Sequence, residues 1–550
     1  MIVVLLAEGL LLYTVSLIAW RVFSWITLKS PLDIVPGPPS HSWFFGNASK
    51  LFNPNGWDFH YDILKRYGGV IRLETAFGDR LLVISDPKAL YSVLIKDPYV
   101  YEISSTHMAR RRLLMGDGLL STLGEKHRKQ RKLLNPVFSI NHMRGMIPLF
   151  YEVTERLQAV LKKKLVNGPQ EIDILHWMTR TALELIGRSG MDYSFDSLLD
   201  DGDVHPYSVS VKRLSQLLGG PVGFSSGKYI LPFAQKFNFP RLKRYIVEHI
   251  PSERVQGLKE ITDIMYRTSV EIIESKKQAM ASSNPEVVAE MTKKKDIINI
   301  LLRANMDASK EDRLTDEEVV GQISTFVFAG MDTTSSGVSR ILQLLATHED
   351  VQEKLREEIR EAQKLSDGQL SYDQLVSLPY LDAVCRESLR VYPPINLGAM
   401  RTARQDMILP LSKPVLGSAG KEVSEIYIPK GTDIVVSTLG SNCNSDLWGP
   451  DSYEWKPERW LAPLPKAVES ARIPGIYSHL MSFSGGGRSC IGFKFSQLEM
   501  KVVLSVLISS FKFSKSEKEI SWRMNNIAGP VVTGEEERHP QLPVVMSLVD

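Results

Sequence analysis

Residues 315–347, TDEEVVGQISTFVFAGMDTTSSGVSRILQLLAT, constrain the fold most. Thr315 followed three residues later by Glu318 is a capping box: a hydroxyl takes one orphan N–H of a first helical turn, and a carboxylate takes another. The apolar periodicity behind it predicts a helix of about thirty residues, against a mean of ~11–12. Its middle, 328–336, is apolar on one side yet carries Gly330, Asp332, Thr333 and Thr334. Consecutive threonines compete for the helix's own carbonyls, which predicts a local distortion. A long apolar helix interrupted by small and polar residues also predicts a cavity against its middle.

Helical periodicity runs from about 120 to 400, in segments such as 152–165, 257–281 and 349–365. Short β-branched runs at 69–75 and 80–85, separated by Gly and Asp-Pro turns, predict a small sheet, and short strands return among Pro and Gly after 400. No internal repeat is visible, and 282–296 reads as a polar surface loop. The chain of 550 residues, 43% apolar and 23% charged, has the composition of a globular protein with a sizeable core. A net charge of +3 gives a nucleic-acid role no general support. The three cysteines, Cys385, Cys443 and Cys490, lack zinc-ligand spacing and point to thiols in a reducing compartment.

Residues 2–28 are almost wholly apolar, with Glu8 and Arg21 the only charges, long enough for one membrane-spanning helix. A cleaved signal peptide is the alternative, but the run lacks a basic start and a small-residue cleavage site. Arg21 and Lys29 lie on its C-terminal side, which orients the rest of the chain toward the cytosol. Val35-Pro36-Gly37-Pro38-Pro39 cannot continue a helix and is expected to act as a stiff elbow. The expected organisation is thus an anchor over 1–30, an elbow over 31–40 and a single catalytic domain over 41–550.

The segment 483–492, FSGGGRSCIG, presents one cysteine on bare backbone. A phosphate loop would need a G-x-x-x-x-G-K-[ST] pattern, which is absent. A cysteine nucleophile would need a base, and His479 is eleven residues upstream. A thiolate ligand to haem iron fits the residue types: N–H groups aimed at the sulfur stabilise its charge, and glycines at 485, 486, 487 and 492 let backbone approach it. Phe483 can cover the sulfur, Arg488 can meet a propionate, and the following FKFSQLEMKVVLSVLISS reads as a helix whose N-terminus faces the thiolate.

This segment resembles the F-x-x-G-x-R-x-C-x-G signature of the cytochrome P-450 superfamily at Phe483, Gly486, Arg488, Cys490 and Gly492. Glu387 and Arg390 in ESLR, with Arg459 in WKPERW, resemble the family's buried Glu-Arg-Arg cluster. AGMDTT resembles its oxygen-activating segment, with Asp332 and Thr333 as an acid–alcohol pair for proton delivery; Asp and Thr placed there for local helix reasons are the alternative. Where the family usually has W-x-x-x-R, this chain has His127 and Arg131, and Arg401 matches a further propionate-binding arginine.

The resemblance covers nearly the whole chain, and its style is that of microsomal, fungal-type members. It implies a mostly α-helical fold with a small β-rich part and a heme b held by the Cys490 thiolate. It further implies electrons from NADPH through NADPH–cytochrome P-450 reductase, and insertion of one oxygen atom of O2 into a lipophilic small molecule. The location implied is the endoplasmic reticulum membrane, with the catalytic part in the cytosol. The basic residues Lys126, Arg128, Lys129 and Lys132 are a solvated face or the docking face for the acidic electron donor. By family position the pocket is expected from 104–120, 328–333, 395–400 and 526–532, including Met108, Leu119, Phe328, Ile395, Leu397, Met400 and Ile527, which suits a terpenoid or another secondary metabolite. A non-oxygenating haem-thiolate sensor and a peroxide-rearranging family member are the competing functions; Asp332 and Thr333 stand against the first, and Thr333 with the basic face against the second.

Overall fold

The computed structural model describes most of residues 30–550. Outside the description lie 200–204, most of 219–238, parts of 283–293, 536–538, the single positions 43, 367, 399, 419 and 550, and most of 1–29. The expected membrane helix over 2–28 therefore falls largely outside the described residues. Among those described, no helix is long and apolar enough to cross a membrane.

The capping box forms as its spacing requires: the Thr315 hydroxyl accepts from the Glu318 N–H at 3.3 Å, and the Glu318 carboxylate accepts from the Thr315 N–H at 2.9 Å. The helix then runs unbroken over Asp316–Thr347, 32 residues. The distortion expected at the threonines is milder than a break. The Thr333 hydroxyl donates to the Ala329 carbonyl at 2.7 Å and the Ser335 hydroxyl to the Asp332 carbonyl at 3.2 Å. A carbonyl has two lone pairs, so it accepts the hydroxyl without giving up its helical N–H.

The long helix packs along Ile174–Met191, which is buried almost all round, and also meets Glu253–Met280 and Phe493–Ser510. Leu183, Ile186, Val327, Met331, Val503 and Leu507 are part of the continuous apolar core between them. A helix buried on almost every side belongs at such a centre, where its charges are paired, as Arg180 is with Asp196 at 2.7 Å.

The short strands on either side of the helical region join one five-stranded sheet, in the order Val70–Glu74, Arg80–Ile84, Asp433–Val436, Arg401–Ala403, Tyr101–Ile103. Arg80–Ile84 and Asp433–Val436 run parallel and the other pairs antiparallel. This sheet carries Arg401 to the edge of the helical core. The proline stretch lies against its first strand: the Pro36 carbonyl accepts from the Arg72 N–H at 3.0 Å. A Cβ on Gly37 would stand 1.9 Å from the Arg72 carbonyl oxygen, so only glycine passes there.

Candidate active site

The cysteine segment folds as strand, tight turn and helix: Leu480–Gly485, a single 3-10 turn Gly486–Arg488, then Phe493–Ser510. Two of its glycines make room for neighbouring backbone. A Cβ at Gly485 would lie 2.1 Å from the Pro474 carbonyl oxygen, and one at Gly486 (φ +70°) 2.0 Å from that of Leu94. Both let the loop pass neighbouring backbone, while Gly487 faces open space. The Gly492 N–H is the backbone donor that favours the Cys490 thiolate. Burial pushes the thiol pKa up, and that N–H together with the Arg131 charge pulls it back toward the thiolate. The Cys490 N–H donates to the Phe483 carbonyl at 2.9 Å, closing the turn. The Phe483 ring sits edge-on to Tyr477, with centroids 5.5 Å apart, and 6.2 Å from Phe493.

Cys490 opens onto a cavity of about 470 Å3 against the middle of the long helix. Leu119, Phe328, Ile395, Leu397, Met400 and Ile527 line it as expected, and so does Thr333. Met108 is the exception, buried away from the cavity wall. Arg110, Arg111, Arg131, Arg401 and Arg488 also line it, with His127, and among the described residues no Asp or Glu does.

These cations crowd one another. Arg401 and Arg488 are each pushed down to about 10, first by burial; Arg488 and Arg111 then repel Arg401, and Arg131 repels Arg488. His127 is pushed down to about 3 by burial and by Arg488, Arg131 and Arg401, so it is neutral at physiological pH. Glu102, 3.7 Å from Arg488, is a carboxylate that meets the group from just outside the wall. Arg131 clamps the residue before the cysteine, donating to the Ser489 carbonyl at 2.7 Å, and Arg488 donates to the Thr122 carbonyl at 2.8 Å. The Arg401 Nε is buried without a protein partner. A group that offers one metal for a sulfur ligand and two carboxylates for crowded guanidiniums, as haem does, fits this donor set. Arg111, not singled out within the expected pocket range 104–120, belongs to the same cluster and is pushed down to about 10 by burial, Arg488 and Arg110.

Behind the loop, Glu387 and Arg390 are fully buried and paired through two bonds of 2.8 Å. Arg459 joins at 3.4 Å, as the resemblance implied, and the Trp460 indole N–H and the Lys456 N–H complete the donors to Glu387 at 2.9 and 3.0 Å. Arg390 also donates to the Asn442 carbonyl at 3.1 Å. The Asn442 side chain in turn receives the Met481 N–H at 2.8 Å and donates to the Ser482 hydroxyl at 2.9 Å. The buried cluster is thereby tied to the strand that leads to Cys490.

Thr333 and Asp332 part company. Thr333 lines the cavity, whereas the Asp332 carboxylate, 3% exposed as a residue, accepts from the Lys212 ammonium at 2.6 Å, outside the cavity wall. Lys212 lies on Pro206–Leu218, 120 residues away, and no local pattern could have paired it. The basic surface is less naked than its sequence: Lys126 pairs with Asp117 at 2.9 Å, Lys132 with Asp312 at 3.0 Å and Arg128 with Glu125 at 3.5 Å.

The model of the family described as Cytochrome P450 matches residues 36–536. The chain is 51% identical to cytochrome P450 monooxygenase 91 of Postia placenta, over 96% of both chains. It is 42% identical to a ganoderic acid synthetase of Ganoderma lucidum, over 96% of this chain and 97% of the other. A cytochrome P450 monooxygenase of Hericium erinaceus matches at 36% identity over 93% and 94%.

Proposed function

Because the chain belongs to the cytochrome P450 family and is a monooxygenase of it, we propose that it inserts one oxygen atom of O2 into a lipophilic secondary metabolite of terpenoid type, with electrons from NADPH supplied by a cytochrome P-450 reductase. The observation that carries the site assignment is Cys490, open to the cavity, with an N–H against its sulfur and arginines around it. Cys490 would supply the sulfur ligand to the iron of a haem held here. Arg131, Arg401, Arg488 and His127 would hold its propionates, with Phe483, Gly486 and Gly492 shaping the loop. Glu387, Arg390 and Arg459 fix that loop from behind. Haem bound there supplies oxygen activation and hydrogen abstraction.

The protein's own residues position substrate and move protons. The apolar wall formed by Phe328, Ile395, Leu397 and Ile527 excludes water and orients a hydrocarbon. The Thr333 hydroxyl, whose hydrogen is committed to Ala329, presents its oxygen as an acceptor for a water in the cavity. For Asp332 to relay protons to that water, its carboxylate must first leave Lys212 and turn toward the cavity.

The anchor and its place in the endoplasmic reticulum membrane, catalytic part in the cytosol, rest on the apolar run 2–28 and on Arg21 and Lys29 behind it. Leu12, Tyr13, Val15 and Trp20, described within that run, are exposed apolar side chains that a bilayer would cover. The reductase docks on the face around Arg128 and Lys129.

A carbon monoxide difference spectrum of the dithionite-reduced protein tests the assignment. A thiolate-type red-shifted Soret band is expected; a band where His-ligated haem absorbs overturns it. Reconstitution with reductase and NADPH should give substrate-dependent oxygen uptake, and its absence with any lipophile would leave the sensor reading in its place.

A further inference from the structure

We propose that Asn396 is a specificity-determining residue of the cavity: its side-chain amide binds a hydroxyl group on the lipophile and so fixes which end of the hydrocarbon lies toward Cys490. Calling this ligand a substrate rests on the monooxygenase reading; its binding does not.

Asn396 follows the helix Pro379–Val391 in the stretch PPINLG and lines the cavity together with its neighbours Ile395 and Leu397. It is 5% exposed, and neither its Oδ1 nor its Nδ2 has a protein partner. Among the described lining residues it is the one whose side-chain donor and acceptor are both buried and unmet. An amide left in that state is unfavourable, whereas a leucine of similar size would carry no such penalty. The main chain holds it where it is. The Asn396 carbonyl accepts from the Thr438 N–H at 3.0 Å, the Gly398 N–H donates to the Val436 carbonyl at 2.8 Å, and the Ala528 N–H donates to the Pro394 carbonyl at 2.8 Å. With the backbone clamped from both sides, the amide stays at the wall, and the group that satisfies it comes from within the cavity.

The surroundings fit an elongated lipophile. Phe328 and Thr333 of the long helix line one part of the cavity. Leu51, Phe52 and Val435, from the apolar cluster that joins the helix Trp57–Tyr67 to the five-stranded sheet, line another. His60, on that helix, also lines it and gives its Nε2–H to the Leu51 carbonyl at 3.0 Å.

The amide itself selects the class of group. Its Nδ2 donates and its Oδ1 accepts. A ketone or an ether leaves Oδ1 unmet, a carboxylate has no proton to give it, and a hydrocarbon meets neither atom. A hydroxyl both accepts and donates. The substrate class is therefore a lipophilic alcohol. The reaction that supplies it is one that has already put oxygen on the hydrocarbon, and the carbon attacked here lies away from that hydroxyl.

The test is calorimetric titration of the ferric holoenzyme with two pairs of ligands carried in cyclodextrin, dodecanol with dodecane and cedrol with cedrene. Each ligand is compared between wild type and Asn396→Leu, so that differences in solubility cancel. At least one alcohol is expected to bind the variant about tenfold more weakly, a loss of ~1.4 kcal/mol, while its hydrocarbon partner changes by less than about threefold. Equal losses for alcohol and hydrocarbon, no loss for either alcohol, or no saturable binding of either alcohol to the wild type, each overturns the assignment. A variant that folds but no longer retains haem gives the amide to the cofactor and overturns it too. Should Asn396→Leu fail to fold, Asn396→Ala is read by the same criterion, and failure of both gives the amide to the fold and overturns the proposal. A wild-type protein with a normal thiolate-type carbon monoxide band and no selective loss in the variant loses the role of Asn396 only, whereas a missing band removes the monooxygenase site itself.

Discussion

Replacing Glu387 with leucine is the sharpest perturbation of the fold's hold on its cysteine. The wild-type carboxylate is 0% exposed and accepts from Arg390, Arg459, Trp460 and the Lys456 N–H. The leucine fills the volume but leaves the Arg390 guanidinium charged, buried and short of two of its bonds. Breaking a buried pair on one side costs ~3–5 kcal/mol, and the orphaned Trp460 donor adds ~1–3 kcal/mol. Against a total stability of ~5–15 kcal/mol this is between about a quarter and all of it. Glu387→Gln keeps an acceptor and should cost less. The loop suffers with the cluster, since Arg390 holds the Asn442 carbonyl and Asn442 holds Met481 and Ser482. Urea unfolding followed by circular dichroism measures the stability, and the carbon monoxide band per mole of protein measures cofactor retention. Glu387→Leu should lose most of both. A variant within about 1 kcal/mol of wild type and fully loaded with haem would refute the coupling between cluster and loop.

Further expectations can be checked separately. Cys490→Ser should abolish the red-shifted carbon monoxide band while leaving far-ultraviolet dichroism unchanged; a surviving band would assign the ligand elsewhere. Thr333→Ala should raise the hydrogen peroxide released per NADPH consumed, and unchanged coupling would take Thr333 out of the proton path. His60 is buried, donates its Nε2–H to the Leu51 carbonyl at 3.0 Å, and is held below its usual 6.5 chiefly by that burial. The unfolded chain therefore binds a proton that the folded one refuses, so its contribution is fully present above pH 6.5 and is lost as pH falls below it. The acid limb of a thermal-unfolding profile should flatten in His60→Gln, and an unchanged slope would remove His60 as a cause. A chain beginning at Ser30, which keeps the Asp33–Arg80 pair at 2.9 Å, should lose most membrane binding. Full retention would shift the attachment to exposed apolar groups such as Phe239, Leu242 and Tyr245 on and beside Pro240–His249.

Features set by neighbours in sequence were legible. The Thr315 box, the length of the helix behind it and the short segment around Cys490 are all local, and each has the form its residues imply. Glu387 and Arg390 are one helical turn apart, so their pairing could be read, whereas Arg459 needed the resemblance. What escaped is what distant segments decide. The strands at 70–84 and 401–436 read as separate groups because nothing in a strand states its partner across 350 residues. Lys212 was invisible as the counterion of Asp332 for the same reason. Gly485 and Gly486 were given the sulfur as their reason, but their reason is the carbonyls of Pro474 and Leu94, which only the folded chain brings near. Arg111 was passed over because a run of arginines gives no hint of which members turn inward.

The chain of bonds from Glu387 through Arg390 and Asn442 to Met481 also sets an order of events in folding. Beyond the Glu387–Arg390 pair, which lies within one helix, its links join residues 52 and 39 positions apart in sequence, so neither forms within a local hairpin or helix. Contacts of that span close late, after the helices between them exist. The cysteine turn is therefore one of the last parts of the molecule to become rigid, and a nascent chain that has its helices does not yet have a place for its cofactor. Refolding should show helical dichroism recovering before the Soret band, and simultaneous recovery would break that order. Haem supply in the cell then acts on a nearly finished protein, as a final lock on a structure already built.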